Sequence, residues 1–252
     1  MLLFIDSETD GLPDWRAPST SKQQPHIVQL AALLTDDDGH GKASMNSVVK
    51  PDGWEIPPEM TAIHGISQEH ALQEGVGIKT VLQDFVDLLG QANLVVAHNV
   101  NFDARMIRIQ MLRNRGRFGE WAKVWKTWPK FDTQARATQF CKLPPTEKMM
   151  AAGRKGFKTP KLEEALRILC GQEIGEDAHN ASHDVKACRQ VFFALHRLEP
   201  ISIPTKTPEI PEKPPEDAVE GDDGPDDGIP TFDGAETNTQ GAGEARTAKK
   251  GA

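Results

Sequence analysis

Tyrosine is missing altogether from the 252 residues, and cysteine is scarce, with only Cys141, Cys170 and Cys188. Three thiols make an odd number for a disulfide framework, and their spacing fits neither CxxC nor a Cys/His zinc pattern. Ordinary reduced thiols of a cytoplasmic protein are the expectation. Long apolar runs are missing too. No stretch approaches the roughly 20 residues that cross a bilayer, so no membrane partner is expected. The apolar run at the N-terminus, Met1 to Ile5, stops at Asp6 and is too short for a secretory signal. What remains is a chain long enough for a substantial core, in one large domain or two small ones.

A charge excess of one sign is also absent from most of the chain. The formal net charge is −8, but residues 201–252 hold 12 Asp and Glu against 5 Lys and Arg, a net of −7. That leaves 25 acids and 24 bases in residues 1–200, a net of −1. Inside this nearly neutral part, residues 104–161 carry 15 Lys and Arg against three acids (Glu120, Asp132, Glu147), a net of +12. A basic segment of that kind suits a polyanion. From Ile201 onward the chain is rich in Pro, Gly, Glu and Asp and poor in large apolar residues, so it has too little surface to bury to order itself. The expected division is a folded domain over 1–200 and a disordered acidic tail over 201–252.

Residues 1–200 alternate strand-like and helix-like patterns. LLFID, HIVQLAALL and SMNSVVK predict three early strands, and NLVVAHN and KFDT two later ones. PPEMTAIHGISQEHALQEG predicts short helices around a His-Gly turn. KTVLQDFVDLLG has a helical apolar stripe closed by Gly90. FDARMIRIQMLRNRG predicts a helix ended by Gly116, TQARATQF another, KLEEALRILCG one closed by Gly171, and ASHDVKACRQVFFALHRL the last. Three strands followed by alternating helices and strands imply an α/β fold, a mixed sheet flanked by helices.

The opening MLLFIDSETDG runs a strand buried on both faces straight into Asp6 and Glu8. Two residues apart on a strand, these carboxylates point to the same side, roughly 6–7 Å from each other. A plain strand end reaching solvent would look the same; so would a pair of metal ligands. Asp103 opens a helix beside Met106 and Ile107, either as an N-terminal acid favoured by the helix dipole or as a further ligand. Asp184 is harder to place on the surface. Its partners at i+4, i+7 and i+11 are Cys188, Val191 and Leu195, so it sits on the core stripe of its helix. His179 precedes it by five residues and could stand beside it as a base. Carboxylates gathered in this way suit a hard divalent cation, and a pair of such ions serves phosphodiester chemistry.

These residues resemble a family. FIDSETDG resembles the DxE first motif of the DEDD exonucleases, AHNVNFDARMI their second motif with Asp103 as its acid, and HNASHD the HxAxxD third motif of the DEDDh branch. TAIHGIS resembles the HGI element of the proofreading epsilon subunit of bacterial DNA polymerase III. The tyrosine branch is excluded by composition. The resemblance covers most of residues 1–197, in the family's order, within the RNase T-like superfamily.

The resemblance implies an RNase H-like fold with a mixed five-stranded sheet. It implies a two-metal site for Mg²⁺, with Mn²⁺ able to substitute, held by Asp6, Glu8, Asp103 and Asp184. It makes His179 the general base and assigns Thr9, His64 and Asn99 to the terminal nucleotide. The implied activity is 3′→5′ exonuclease action releasing nucleoside monophosphates from DNA, on single-stranded or frayed ends. A 3′ exoribonuclease of the RNase T type fits the same residues, since the contact that tells RNA from DNA is not legible in the sequence. So does a non-catalytic nucleic-acid-binding module, or a subunit held by its tail in a polymerase or repair complex.

Three segments stand outside those motifs. KLPPTEKMMAAGRKGFKTPK, residues 142–161, holds six bases and reads as a basic loop that either guides a strand or is simply solvated. WAKVWKTWPK places Trp121, Trp125 and Trp128 at helical spacing, which favours core over base stacking. In the tail, DDGIPTFDG sets Ile229, Pro230 and Phe232 among acids. It either solubilises, docks a protein partner, or folds back on the chain's own basic segment.

Overall fold

The computed structural model describes residues 1–173 and 180–212. Five strands form one sheet in the order β3-β2-β1-β4-β5. They are β1 (Leu2–Thr9), β2 (Ile27–Thr35), β3 (Gly41–Val48), β4 (Leu94–Ala97) and β5 (Lys130–Asp132). β1 pairs antiparallel with β2, as β2 does with β3, whereas β1–β4 and β4–β5 are parallel. The sheet is therefore mixed, five-stranded and RNase H-like, as expected.

β1 is central, and Leu2 through Ile5 are all buried. Successive side chains on a strand alternate between faces. Leu3 and Ile5 pack with α3 (Ile78–Leu89), α4 (Val100–Arg113) and α5 (Arg115–Thr127). Leu2 and Phe4 pack with α6 (Thr133–Cys141), α8 (Leu162–Cys170) and α9 (Ala181–Leu198). Phe4 meets Phe192 of α9 edge-on, ring centres 5.6 Å apart. Two apolar layers thus sandwich the sheet, and the parity of β1 decides which layer each later residue of the strand addresses.

The short helices α1 (Pro58–His64) and α2 (Gln68–Glu74) flank the His-Gly turn, as the sequence predicts. Gly65 there takes φ 75°, a left-handed conformation that suits glycine. Two expectations change. The helix expected over Phe102–Gly116 starts earlier and stops at Arg113, capped by Asn114, and Gly116 lies inside α5. Glycine disfavours helix by only about 1 kcal/mol, and the stripe Phe118, Trp121, Ala122, Trp125 is buried strongly enough to outweigh it. Trp121, Trp125 and Trp128 are therefore core residues. The basic stretch is also more than a plain loop. It contains a short helix, α7 (Glu147–Ala151), and an antiparallel bridge between Leu143 and Lys158 ties its ends. Packing continues past Pro200: Ile201 is 8% exposed within the α9 layer. Residues 213–252, most of the tail expected to be disordered, lie outside the described residues. Among the described residues no helix is long and apolar enough to cross a membrane, and the three cysteines are free.

Candidate active site

The site grows from the parity of β1. Asp6 and Glu8 share the face of Leu2 and Phe4, so they continue the row that α9 covers. α9 begins at Ala181 and presents Asp184 in its first turn, one turn before Cys188 and two before Phe192 on the same buried stripe. One carboxylate oxygen from each of Asp6, Glu8 and Asp184 lies within 4.8 Å of the others. Ser7 points to the opposite face, toward α4. There its Oγ donates a 2.7 Å hydrogen bond to Oδ1 of Asp103, which is 3% exposed. The strand end thus brings its own two acids to Asp184 on one side and, through its serine, reaches a fourth acid on the other.

Electrostatics follow from this crowding. Burial, then the charges of Asp103, Asp184 and Glu8, hold the Asp6 carboxyl well above the usual range. Burial, then Asp184 and Asp103, push Glu8 up to about 8. Burial also raises Asp103 to about 7, with the Ser7 hydroxyl pulling the other way. Every influence on Asp6 and Glu8 acts against ionisation. A compact set of oxygen donors that repel one another is the donor chemistry a hard divalent cation prefers, so the residues fit such an ion.

The supporting frame is specific. β1 and β4 run parallel with Phe4 opposite Val96, and His98 follows directly after the end of β4. His98 Nε2 lies 3.0 Å from the Pro160 carbonyl and Nδ1 3.0 Å from Thr133 Oγ1. Burial holds its imidazole below the usual pKa. This histidine anchors the root of the basic loop to the carboxylate end of the sheet. Asn99, predicted as a substrate contact, adopts φ 72° at the start of α4, and its N–H donates to Asp132 Oδ1 at 3.1 Å. Asparagine tolerates that left-handed geometry better than most residues. Thr9 is buried, its hydroxyl bonded to the Gly11 carbonyl at 2.8 Å. His64 ends α1, is 7% exposed, and accepts the Ile66 N–H on Nδ1 at 3.1 Å. His179, predicted as the base, lies outside the described residues.

The sequence profile of the RNase T exonucleases matches residues 3–192. The chain belongs to this exonuclease family. Two curated relatives are the PolC-type DNA polymerases III of Thermotoga petrophila and Thermotoga maritima. Each is 30% identical over 141 residues, 56% of this chain and 9% of the polymerase. The chain therefore spans less than a tenth of their length. Among solved structures, E. coli exonuclease I in complex with a dA16 oligonucleotide has TM-score 0.61 at 19% identity, over 79% of this chain and 41% of that one. Exonuclease I of Methylocaldum szegediense has TM-score 0.56 at 20% identity, over 79% and 41%. At these identities the likeness is one of fold.

Two residues of this candidate site escaped sequence reading. Ser7 sits between the two acids of the first motif, and strand parity alone would have aimed it at the face opposite theirs. Gln29 pairs opposite Glu8 on β2 and accepts the Ala181 N–H on Oε1 at 3.3 Å, while its Nε2 donates to Asn46. It ties the start of α9 to the sheet beside Glu8. Nothing in sequence marks it, because the tie spans 152 residues.

Proposed function

We propose that the chain is a divalent-metal-dependent exonuclease that removes nucleoside monophosphates from the 3′ end of DNA, single-stranded or frayed. The observation that carries this reading is the convergence of Asp6, Glu8 and Asp184 oxygens within 4.8 Å, with Asp103 joined through Ser7. Asp6, Glu8, Asp103 and Asp184 would hold two Mg²⁺, with Mn²⁺ as a substitute. Such ions supply neutralisation of the acid cluster, activation of a water and stabilisation of the leaving oxygen. His179 takes the proton from the attacking water on a ring nitrogen, a task that a near-neutral imidazole suits. Thr9, His64 and Asn99 position the terminal nucleotide. Ser7 and Gln29 hold Asp103 and the start of α9 in register with the strand end.

DNA is favoured over RNA because the similar solved structures include exonuclease I complexes with single-stranded DNA and the curated relatives are DNA polymerases. Similarity to one segment of a PolC-type polymerase also favours a second reading, in which the same nuclease works as a proofreading part of a polymerase assembly. An intact acid set argues against a binding module without turnover. One assay tests the reading: 3′-labelled and 5′-labelled single-stranded DNA and RNA, each with Mg²⁺ or EDTA. Stepwise release of the 3′ label from DNA, abolished by EDTA, is the expected result. Preferential RNA cleavage would favour the RNase T type, and cleavage that persists in EDTA would sink the metal reading.

A further inference from the structure

The face of the molecule built by α3, α4 and α5 carries two adjoining cavities that the site does not use. The first, about 290 Å³, lies between α3 and α5, and residues Ile210 and Pro211 form one wall of it. Ile210 reaches in over Gly90: a Cβ at that glycine would stand 3.3 Å from Ile210 Cδ1. The described chain then enters the second cavity, about 470 Å³, where Pro211 and Glu212 share the lining with Arg108, Arg115, Arg117 and Lys123. Among the described residues that line it, four cations meet two acids, Glu120 and Glu212. Glu120 is already engaged by Lys123 at 2.6 Å, and Arg117 donates to Gln83 Oε1 at 2.8 Å.

The chain therefore leaves the described body inside a cation-lined groove. Directly after Glu212 comes the most acidic stretch of the sequence. Residues 213–233 hold eight acids (Glu216, Asp217, Glu220, Asp222, Asp223, Asp226, Asp227, Asp233) against Lys213, a net of −7. Glu216 is four residues beyond Glu212. A ligand tethered so closely has an effective concentration in the millimolar range, and opposite charge adds to it at low salt. We propose that the α4–α5 groove is the docking surface for the chain's own acidic segment 216–233, a polyanionic peptide. The groove belongs to the +12 stretch, so the bound segment masks part of the surface open to other polyanions.

The test uses the full chain and does not rely on nuclease activity. Backbone amide spectra are compared between the unmodified protein and a variant carrying E216Q, D217N, E220Q, D222N, D223N, D226N, D227N and D233N. These substitutions keep the size of each side chain and leave every described residue unchanged. Gly116 and Gly119, which line the groove, report on docking, and Gly171 after α8 serves as the control. The expected result is a shift of Gly116 and Gly119 between the two proteins with Gly171 unmoved. That difference should collapse near 1 M salt, where the Debye length is about 3 Å. Identical Gly116 and Gly119 resonances in both proteins at low salt overturn the proposal. If a short oligothymidylate then moves those resonances, the groove is a nucleic-acid surface instead.

Discussion

Replacing Glu8 with Gln in the metal-free protein tests the electrostatics of the site directly. In the unfolded chain this carboxyl titrates at its ordinary 4.5; in the folded chain burial, Asp184 and Asp103 push it up to about 8. Between those values the folded protein keeps a proton that the unfolded chain has released. Stability contributed by the protonated site is complete below about pH 4.5 and is lost as pH rises toward 8. The two values stand about 3.5 pH units apart. At about 1.4 kcal/mol per unit, Glu8 sets a ceiling of about 5 kcal/mol on that loss. Asp103, raised to about 7, acts in the same direction, and the protons leave in steps that belong to the cluster as a whole. Gln cannot ionise. Denaturant unfolding in EDTA should find Glu8→Gln within about 1 kcal/mol of the unmodified protein at pH 5. At pH 9 the variant should be the more stable by several kcal/mol. Added Mg²⁺ should stabilise the unmodified protein more at pH 8 than at pH 6, because carboxylate ligands must lose their protons first. Stability curves that run parallel from pH 5 to 9 would refute the reasoning, since they would mean that Glu8 does not feel its neighbours.

Other outcomes rest on single contacts. Ser7→Ala removes the side-chain hydroxyl that donates to Asp103, so carboxyl NMR should show Asp103 holding its proton to higher pH than in the unmodified protein; an unchanged titration would deny Ser7 that role. His179→Ala should keep oligonucleotide affinity while losing roughly 10²–10⁴-fold in rate, and an unaltered rate between pH 6 and 9 would remove it as the base. Arg154→Ala with Lys155→Ala should lower the salt slope of single-strand binding by about 1.4, at about 0.7 per phosphate contact; the same slope would leave the loop merely solvated. Lys158 is left out of that pair because it is bonded to Glu164 at 2.7 Å and bridges to Leu143, so its loss should loosen the loop instead. Trp125→Ala, deleting a ring 1% exposed that packs edge-on against Phe85, should lower stability by about 3–5 kcal/mol in a denaturant titration.

Much of this molecule was legible before any fold was known. A run of buried residues on one strand, a carboxylate on the core stripe of the last helix and the order of three short motifs are local patterns with local causes. Strand alternation placed Asp6 and Glu8 on one side, and helical periodicity placed Asp184 inward, because both depend only on backbone geometry. The same rules misjudged the end of α4, where Gly116 looks like a terminator and is not. The apolar stripe that overrides it includes Trp121 and Trp125, whose burial depends on α3 and α4. Contacts across long sequence separations were beyond reach for a similar reason. Ser7 meets Asp103 across 96 residues, Gln29 meets Ala181 across 152, and His98 meets Pro160 across 62. Each requires knowing which face of the sheet a helix covers and at what height. The pairing of β1 with β2 and β4 decided that, and with it how closely four repelling carboxylates are held.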